Sequence, residues 1–228
     1  MEIEAFHFLL TPAGQAHLSA LAQMEIDAAN HLRVASQLSD EVGPARAHAL
    51  LETALLRRRA IGKFSRADQM YFTRDALQQA SAEVVSTYRA RRFARAGFSR
   101  LADLGCGIGG DALALTALAE VIAVEWDPLR LAMAQENVRA YGYGHHFWPL
   151  QADLLELSPL PVEAIFADPG RRDEYGRRIY SVHDYRPPLN FLDRWRQQAP
   201  HQAVKISPGV DYGELPADVE VEFISVDG

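Results

Sequence analysis

From Arg100 onward the chain changes texture, and one short stretch at the change limits what it can become. Arg100–Leu104 (RLADL) reads as an apolar strand, and the glycine loop Gly105-Cys106-Gly107-Ile108-Gly109-Gly110 follows it directly. A helical stretch, DALALTALA, comes next, then a β-branched strand, EVIAVE. Strand, glycine loop, helix and strand make the opening of a parallel sheet, because parallel neighbours need a crossover and a helix supplies it. The alternation continues. DPLRLAMAQENVRAYG is a helix with an Asp-Pro start and a glycine stop. HHFWPLQAD, VEAIFADP and HQAVKISPG read as the third, fourth and fifth strands, with PPLNFLDRWRQQA as a helix between the last two. The expected fold class is α/β, a parallel sheet with helices on both faces.

The first hundred residues read as helical instead. Thr11-Pro12 is an N-cap followed by proline at the first helical position. Gly43-Pro44 breaks the chain and opens another helix, whose apolar face runs through Ala49, Leu50, Ala54 and Leu55. Thr73 is a plausible N-cap for a helix running to about Ala96, with Asp75 in its first turn and Gly97 as its stop. The pattern divides the chain into a helical N-terminal domain, 1–70, and an α/β domain, 71–228.

Charge sharpens the division. Residues 1–100 carry 13 basic and 10 acidic residues, whereas residues 101–228 carry 10 and 20, for a net −7 overall. That balance argues against a general nucleic-acid coat protein. Only Lys63 and Lys205 are lysines, so almost all positive charge is arginine, whose planar fork suits phosphate and carboxylate. It clusters at Arg57–Arg59, Arg89–Arg95, Arg171-Arg172 and Arg177-Arg178. The cluster before Gly97 either complements a helix C-terminus or faces RNA. A single cysteine, Cys106, excludes an internal disulfide framework and a multi-cysteine zinc site. With no export signal at the acidic N-terminus and no apolar run of about 18 residues, a reducing, cytoplasmic setting is expected.

Acidic residues mark the strand ends. Gly105, Gly107 and Gly110 match the spacing of a dinucleotide fingerprint. Asp103, two residues earlier, does not suit that ligand, since a carboxylate there repels a pyrophosphate and welcomes an ammonium. A ligand with a cationic amino-acid moiety, such as S-adenosylmethionine, fits better than NAD. Glu125 ends the second strand, where a carboxylate can accept from both ribose hydroxyls. Asp153 follows the third strand, within reach of an adenine amino group, and Asp168-Pro169 follows the fourth. One such acid could merely cap the next helix. Four, lined along the edge where such sheets bind ligands, point to a site. His145-His146 lacks acids or cysteines nearby to complete a metal site.

Together, D-L-G-C-G-I-G-G-D, V-I-A-V-E-W-D-P, A-D-L and A-D-P resemble a class I S-adenosylmethionine-dependent methyltransferase over residues 70–228. The resemblance implies a Rossmann-like class I methyltransferase sheet. It implies that Asp103 and the backbone of Gly105, Gly107 and Gly109, with Asp111 at the following helix, hold the methionine moiety. Glu125 would bind the ribose and Asp153 would lie by the adenine. The lead-in MYFTRDALQQASAEVV is similar to that of trimethylguanosine-synthase-like RNA methyltransferases, in which an aromatic-Ser/Thr element closes over the cofactor; Phe72 and Thr73 match it. Asp168-Pro169-Gly170-Arg171-Arg172, Tyr185-Arg186-Pro187-Pro188 and Lys205-Ile206-Ser207-Pro208-Gly209 resemble a bacterial methyltransferase group carrying a THUMP-like domain, which implies an RNA substrate by analogy.

One departure matters. Amino-methylating relatives place an aromatic residue where this chain has Arg171. Arg171 and Arg172 either clamp a phosphate, stack on a base or pair with nearby acids. Lys205 either pairs with Asp168 or contacts substrate. Asp168, Arg171, Arg172 and Lys205 are therefore the candidate catalytic set. Such sheets have seven strands; Val219–Val226 alternates as a sixth, and the seventh is missing, so a C-terminal truncation is expected, with a shortened six-strand variant as the alternative. A non-catalytic cofactor- or RNA-binding module, or an NAD-type oxidoreductase, are the competing functions.

Overall fold

The computed structural model describes residues 1–172 and 177–226. The chain divides into two compact units, Met1–Ala80 and Ser81–Gly228.

The first unit is helical: α1 (Ile3–Leu9), α2 (Pro12–Gln23), α3 (His31–Val42), α4 (Pro44–Ala60) and α5 (Arg74–Gln79). Thr11 caps α2 by accepting from the Gly14 amide at 3.1 Å. Gly14 lets α2 fold tightly back on α1, since a Cβ there would sit 2.2 Å from the Phe8 carbonyl oxygen. Phe6, Leu9, Leu50, Phe64, Met70 and Phe72 fill the interior. Two arginines of the Arg57–Arg59 run serve this unit from within. Arg57 Nε donates to the Met70 carbonyl at 2.8 Å while its guanidinium lies 4.8 Å from the Tyr71 ring centre. Arg58 donates to the carbonyls of Leu21 and Met24.

The helix expected from Thr73 to Ala96 is two helices. Thr73 does cap α5, accepting from the Ala76 amide at 3.2 Å. The backbone then extends at Ala80 and Ala82, and α6 (Glu83–Ala96) starts afresh, ending at Gly97 with φ of 77°. Helix propensity runs unbroken through QQASAEV; what interrupts it is the Ser81 hydroxyl, which donates to Asp111 at 3.0 Å.

In the second unit, β1 (Arg100–Leu104), β2 (Glu120–Glu125), β3 (Phe147–Gln151), β4 (Ala164–Ala167) and β5 (His201–Val204) pair in parallel in the order β3-β2-β1-β4-β5. Helices α7 (Ala112–Thr116) and α8 (Pro128–Ala140) follow β1 and β2. Pro149 sits inside β3, which is tolerable because β3 is an edge strand and the missing N–H need not face a neighbour. Leu104 pairs with Val124 and Ala167, and Ala167 with Val204. The strand ends are therefore level, and the residues just beyond them share one edge.

One sequence expectation is borne out and one needs correction. The stretch PPLNFLDRWRQQA forms a helix, of the 3-10 kind over Leu189–Trp195, which buries Trp195 against the sheet. Val219–Val226 forms no strand. Alternation specifies extended backbone, but a strand also needs a hydrogen-bonded neighbour. This segment is held by side chains, with Arg92 reaching Glu220 at 2.7 Å and Glu222 at 3.0 Å. Among the described residues, no helix is long and apolar enough to cross a membrane.

Candidate active site

Beyond β1 the chain turns through Gly105, Gly107 and Gly109, with φ of 83°, 56° and 83°. This left-handed region strains any side chain with a Cβ. The space around the three differs. A Cβ on Gly105 would meet the Asp168 carbonyl oxygen at 3.1 Å, and one on Gly109 would meet Ala134 of α8 at 3.3 Å. Gly107 has nothing within 4 Å. Two glycines thus let backbone and helix close in, and the third leaves open space beside the loop. Asn137 of α8 pins the turn by donating to the Ile108 carbonyl at 2.9 Å.

Glu125 ties β2 to this loop. Its Oε2 accepts from the Gly107 amide at 2.9 Å, and Oε1 accepts from Trp126 at 3.0 Å and Asp127 at 3.1 Å. Burial pushes the Glu125 pKa up, and the amides of Asp127 and Gly107 pull it back. Trp126, next along, is 73% exposed.

Asp103 is only 1% exposed, and its Oδ2 has no hydrogen-bond partner among the described residues. Burial raises its pKa well above the carboxylate range, and the charges of Asp111 and Asp168 push the same way. Lys205 and Arg89 oppose them.

Asp168 begins beyond β4, its amide donating to the Leu104 carbonyl at 3.1 Å. Lys205 Nζ donates to its Oδ2 at 2.5 Å, and the Lys205 amide donates to Ala167 at 2.9 Å. Arg171 Nη2 lies 4.0 Å from Asp168 Oδ1, and its Nη1 donates to the Ile206 carbonyl at 3.4 Å. Burial raises the Asp168 pKa, and Lys205 works against it by charge and hydrogen bond.

The structure brings Asp103, the three glycines, Glu125, Asp168, Arg171 and Lys205 to one end of the sheet. Asp111, expected at the methionine moiety, is engaged by protein: Arg89 Nε donates to its Oδ1 at 3.0 Å, and Ser81 to Oδ2. Asp153 is exposed and closes a turn, accepting from the Leu155 amide at 2.8 Å. Arg172 is exposed and bridges Arg178 through its backbone. Phe72 and Thr73 belong to the helical unit; Phe72 is buried with its ring 5.8 Å from that of Phe64. The sequence reading missed Ser81, and it singled out Arg89 only as part of the cluster before Gly97, because Asp111, the partner of both, lies far along the chain. It also passed over Trp126, for which a signal existed: a large aromatic directly after an acidic strand end.

A family model described as RNA cap guanine-N2 methyltransferase matches residues 98–200, and a domain family of unknown function matches residues 2–60. Two relatives from Mycobacterium tuberculosis, strains CDC 1551 / Oshkosh and ATCC 25618 / H37Rv, bear the description uncharacterized S-adenosylmethionine-dependent methyltransferase. Each is 40% identical over 199 residues, covering 80% of this chain and 52% of its own. The chain is a class I methyltransferase homologue. The fold agrees: the crystal structure of a candidate methyltransferase from Porphyromonas gingivalis W83 superimposes with a TM-score of 0.64 at 22% identity, covering 84% of this chain and 52% of that one. The methyltransferase homologue described here spans about half the length of the curated relatives it matches. The cofactor of those relatives is S-adenosylmethionine.

Proposed function

We propose that the α/β unit binds S-adenosylmethionine and transfers its methyl group to RNA. The observation that carries the cofactor is the buried, unpartnered carboxylate oxygen of Asp103 beside an open glycine loop. Such a group is costly unless a cation meets it. The ammonium of a methionine moiety is that cation, and a pyrophosphate is the opposite, which disfavours the NAD reading. Glu125 presents its carboxylate to the ribose and Trp126 offers an exposed ring to the adenine. Asp111 acts one step back, locked by Arg89 and Ser81 so that α6 and the loop keep their places.

When bound, S-adenosylmethionine supplies an electrophilic methyl group on a sulfonium. The protein's own part is positioning and proton handling, and orientation supplies most of the rate. Asp168, with its raised pKa, accepts a hydrogen bond or a proton from the acceptor atom. Lys205 holds that carboxylate in place. The RNA part of the proposal is supported by the RNA-cap description of the matched family and by the arginines that follow Asp168. Arg171, standing where amino-methylating relatives have an aromatic ring, favours an acceptor that carries phosphate close to the reacting atom.

Calorimetric titration with S-adenosylmethionine and, in parallel, NAD tests the cofactor. Micromolar binding of the first alone is expected; binding of NAD alone would overturn the reading. Transfer of a labelled methyl group from S-adenosylmethionine into total RNA, but not into DNA or protein, is the expected second result.

A further inference from the structure

The segment after Asp168 is built as the centre of a small antiparallel patch. The Gly170 amide donates to Arg186 at 2.8 Å, and Arg186 donates back at 2.9 Å. Two residues on, Arg172 bridges Arg178, and the Ile179 amide donates to the Arg171 carbonyl at 2.9 Å. Extended residues alternate faces, and bridged residues share one. Arg172, Arg178 and Arg186 therefore lie on one face, while Arg171 turns to the other, toward Asp168 and Ile206. Gly170 is required in this patch: a Cβ there would meet the Arg186 carbonyl oxygen at 3.2 Å.

The patch is anchored to the site. Tyr185, buried, accepts from the Ser207 amide at 3.0 Å, just past Lys205. Arg186 thus stands on a fixed backbone beside the reacting end of the sheet. Among the described residues, the exposed guanidiniums of Arg178 and Arg186 meet no acid and no carbonyl. Like charges on neighbouring strands repel, and this half of the chain has twice as many acidic as basic residues, 20 against 10. Leaving two arginines unpaired on one face is an arrangement that a polyanion satisfies.

We infer that Arg178 and Arg186 bind backbone phosphates of the nucleic acid flanking the methylated nucleotide. The inference rests on the RNA reading above and extends it from the acceptor to the strand on either side.

The test is fluorescence anisotropy with a labelled single-stranded RNA of mixed sequence, titrated over a series of potassium chloride concentrations. Each phosphate contact on a single strand contributes about 0.7 to the slope of log affinity against log salt. The double variant Arg178→Gln, Arg186→Gln is expected to flatten that slope by about 1.4 and to weaken binding about tenfold at low salt. Its affinity for S-adenosylmethionine should be unchanged, which also shows that it folds. Arg33→Gln, at an exposed arginine of α3 outside the arginine clusters, is the control and should leave the slope alone. An unchanged slope in the double variant, or an equal loss in the control, overturns the assignment while leaving the RNA reading intact. Failure of the unmodified protein to bind RNA overturns both.

Discussion

The two units treat their polar groups differently. In the helical unit Arg57 and Arg58 turn inward and cap carbonyls, so their charge is spent on holding loops. In the α/β unit, among the described residues, the guanidiniums of Arg178 and Arg186 meet no acid and no carbonyl. Buried orphans differ in the same way. Among the described residues the helical unit hides one unpartnered hydroxyl, Thr53 on α4, whereas the α/β unit hides, besides the Trp195 indole nitrogen, a carboxylate oxygen of Asp103. An unpaired hydroxyl is a small local cost. An unpaired carboxylate oxygen beside a glycine loop is a larger cost, which a cation would offset. Side-chain type alone does not mark a site; what marks it is a strong group left unsatisfied next to a glycine loop.

The comparison can be broken in several ways. The largest effect should come from Asp168→Asn, which removes the carboxylate proposed to face the acceptor. We expect the methyl-transfer kcat to fall about 10²–10⁴-fold, with the Kd for S-adenosylmethionine little changed by calorimetry. A retained kcat would reduce Asp168 to scaffolding.

Asp103→Asn should weaken S-adenosylmethionine about 100-fold, as expected when one partner of a buried charge pair is removed. The same variant should melt higher than its parent when empty, because an acid with a raised pKa opposes folding once it ionises. A chain of this size shifts by about 2–4 °C per kcal/mol. If affinity survives, the cation is held elsewhere.

The sign of the pH dependence follows from the same group. Below the ordinary carboxylate pKa, Asp103 is protonated in both folded and unfolded chains and contributes nothing. As pH rises toward its raised folded pKa, the empty protein loses stability. Cofactor affinity should climb over that window, by at most about tenfold per pH unit, because only the ionised carboxylate pairs with an ammonium. Thermal melts and titrations over that window, from the ordinary carboxylate pKa up to the raised folded one, should therefore move in opposite directions; parallel movement would contradict the assignment.

In the helical unit the effects should be smaller and blind to the cofactor. Arg58→Ala deletes donors to two carbonyls and should cost about 1–2 kcal/mol in denaturant unfolding. Thr53→Val replaces an orphaned hydroxyl with a methyl and should stabilise by up to about 1 kcal/mol, since no partner is stranded. A change in S-adenosylmethionine affinity in either variant would erase the distinction between the units.

Much of the α/β unit was legible because its signals are local. RLADL before GCGIGG, EVIAVE before Trp126 and AIFA before Asp168-Pro169 each carry a strand and its acidic end in one short stretch. The break at Ala80–Ala82 was not legible, because its cause is Asp111, 30 residues from Ser81. The alternation in Val219–Val226 was visible, but pairing is a property of a neighbour, not of the segment. Lys205 could be placed near Asp168 from the parallel order alone. The Arg172, Arg178 and Arg186 face could not, since nothing in the spacing of Gly170 and Arg186 announces their bridge.

Glu125 has a consequence for how such a chain can change. Its carboxylate accepts from the loop at Gly107 as well as from Trp126 and Asp127, so the residue proposed to meet the ribose is also the one that shapes the turn. A lineage that tried a different residue here, in search of a different nucleotide, would unfasten the glycine turn in the same step. Novelty in this protein is therefore easier to reach at Arg178 and Arg186, exposed arginines that can be exchanged one at a time without loosening the glycine turn.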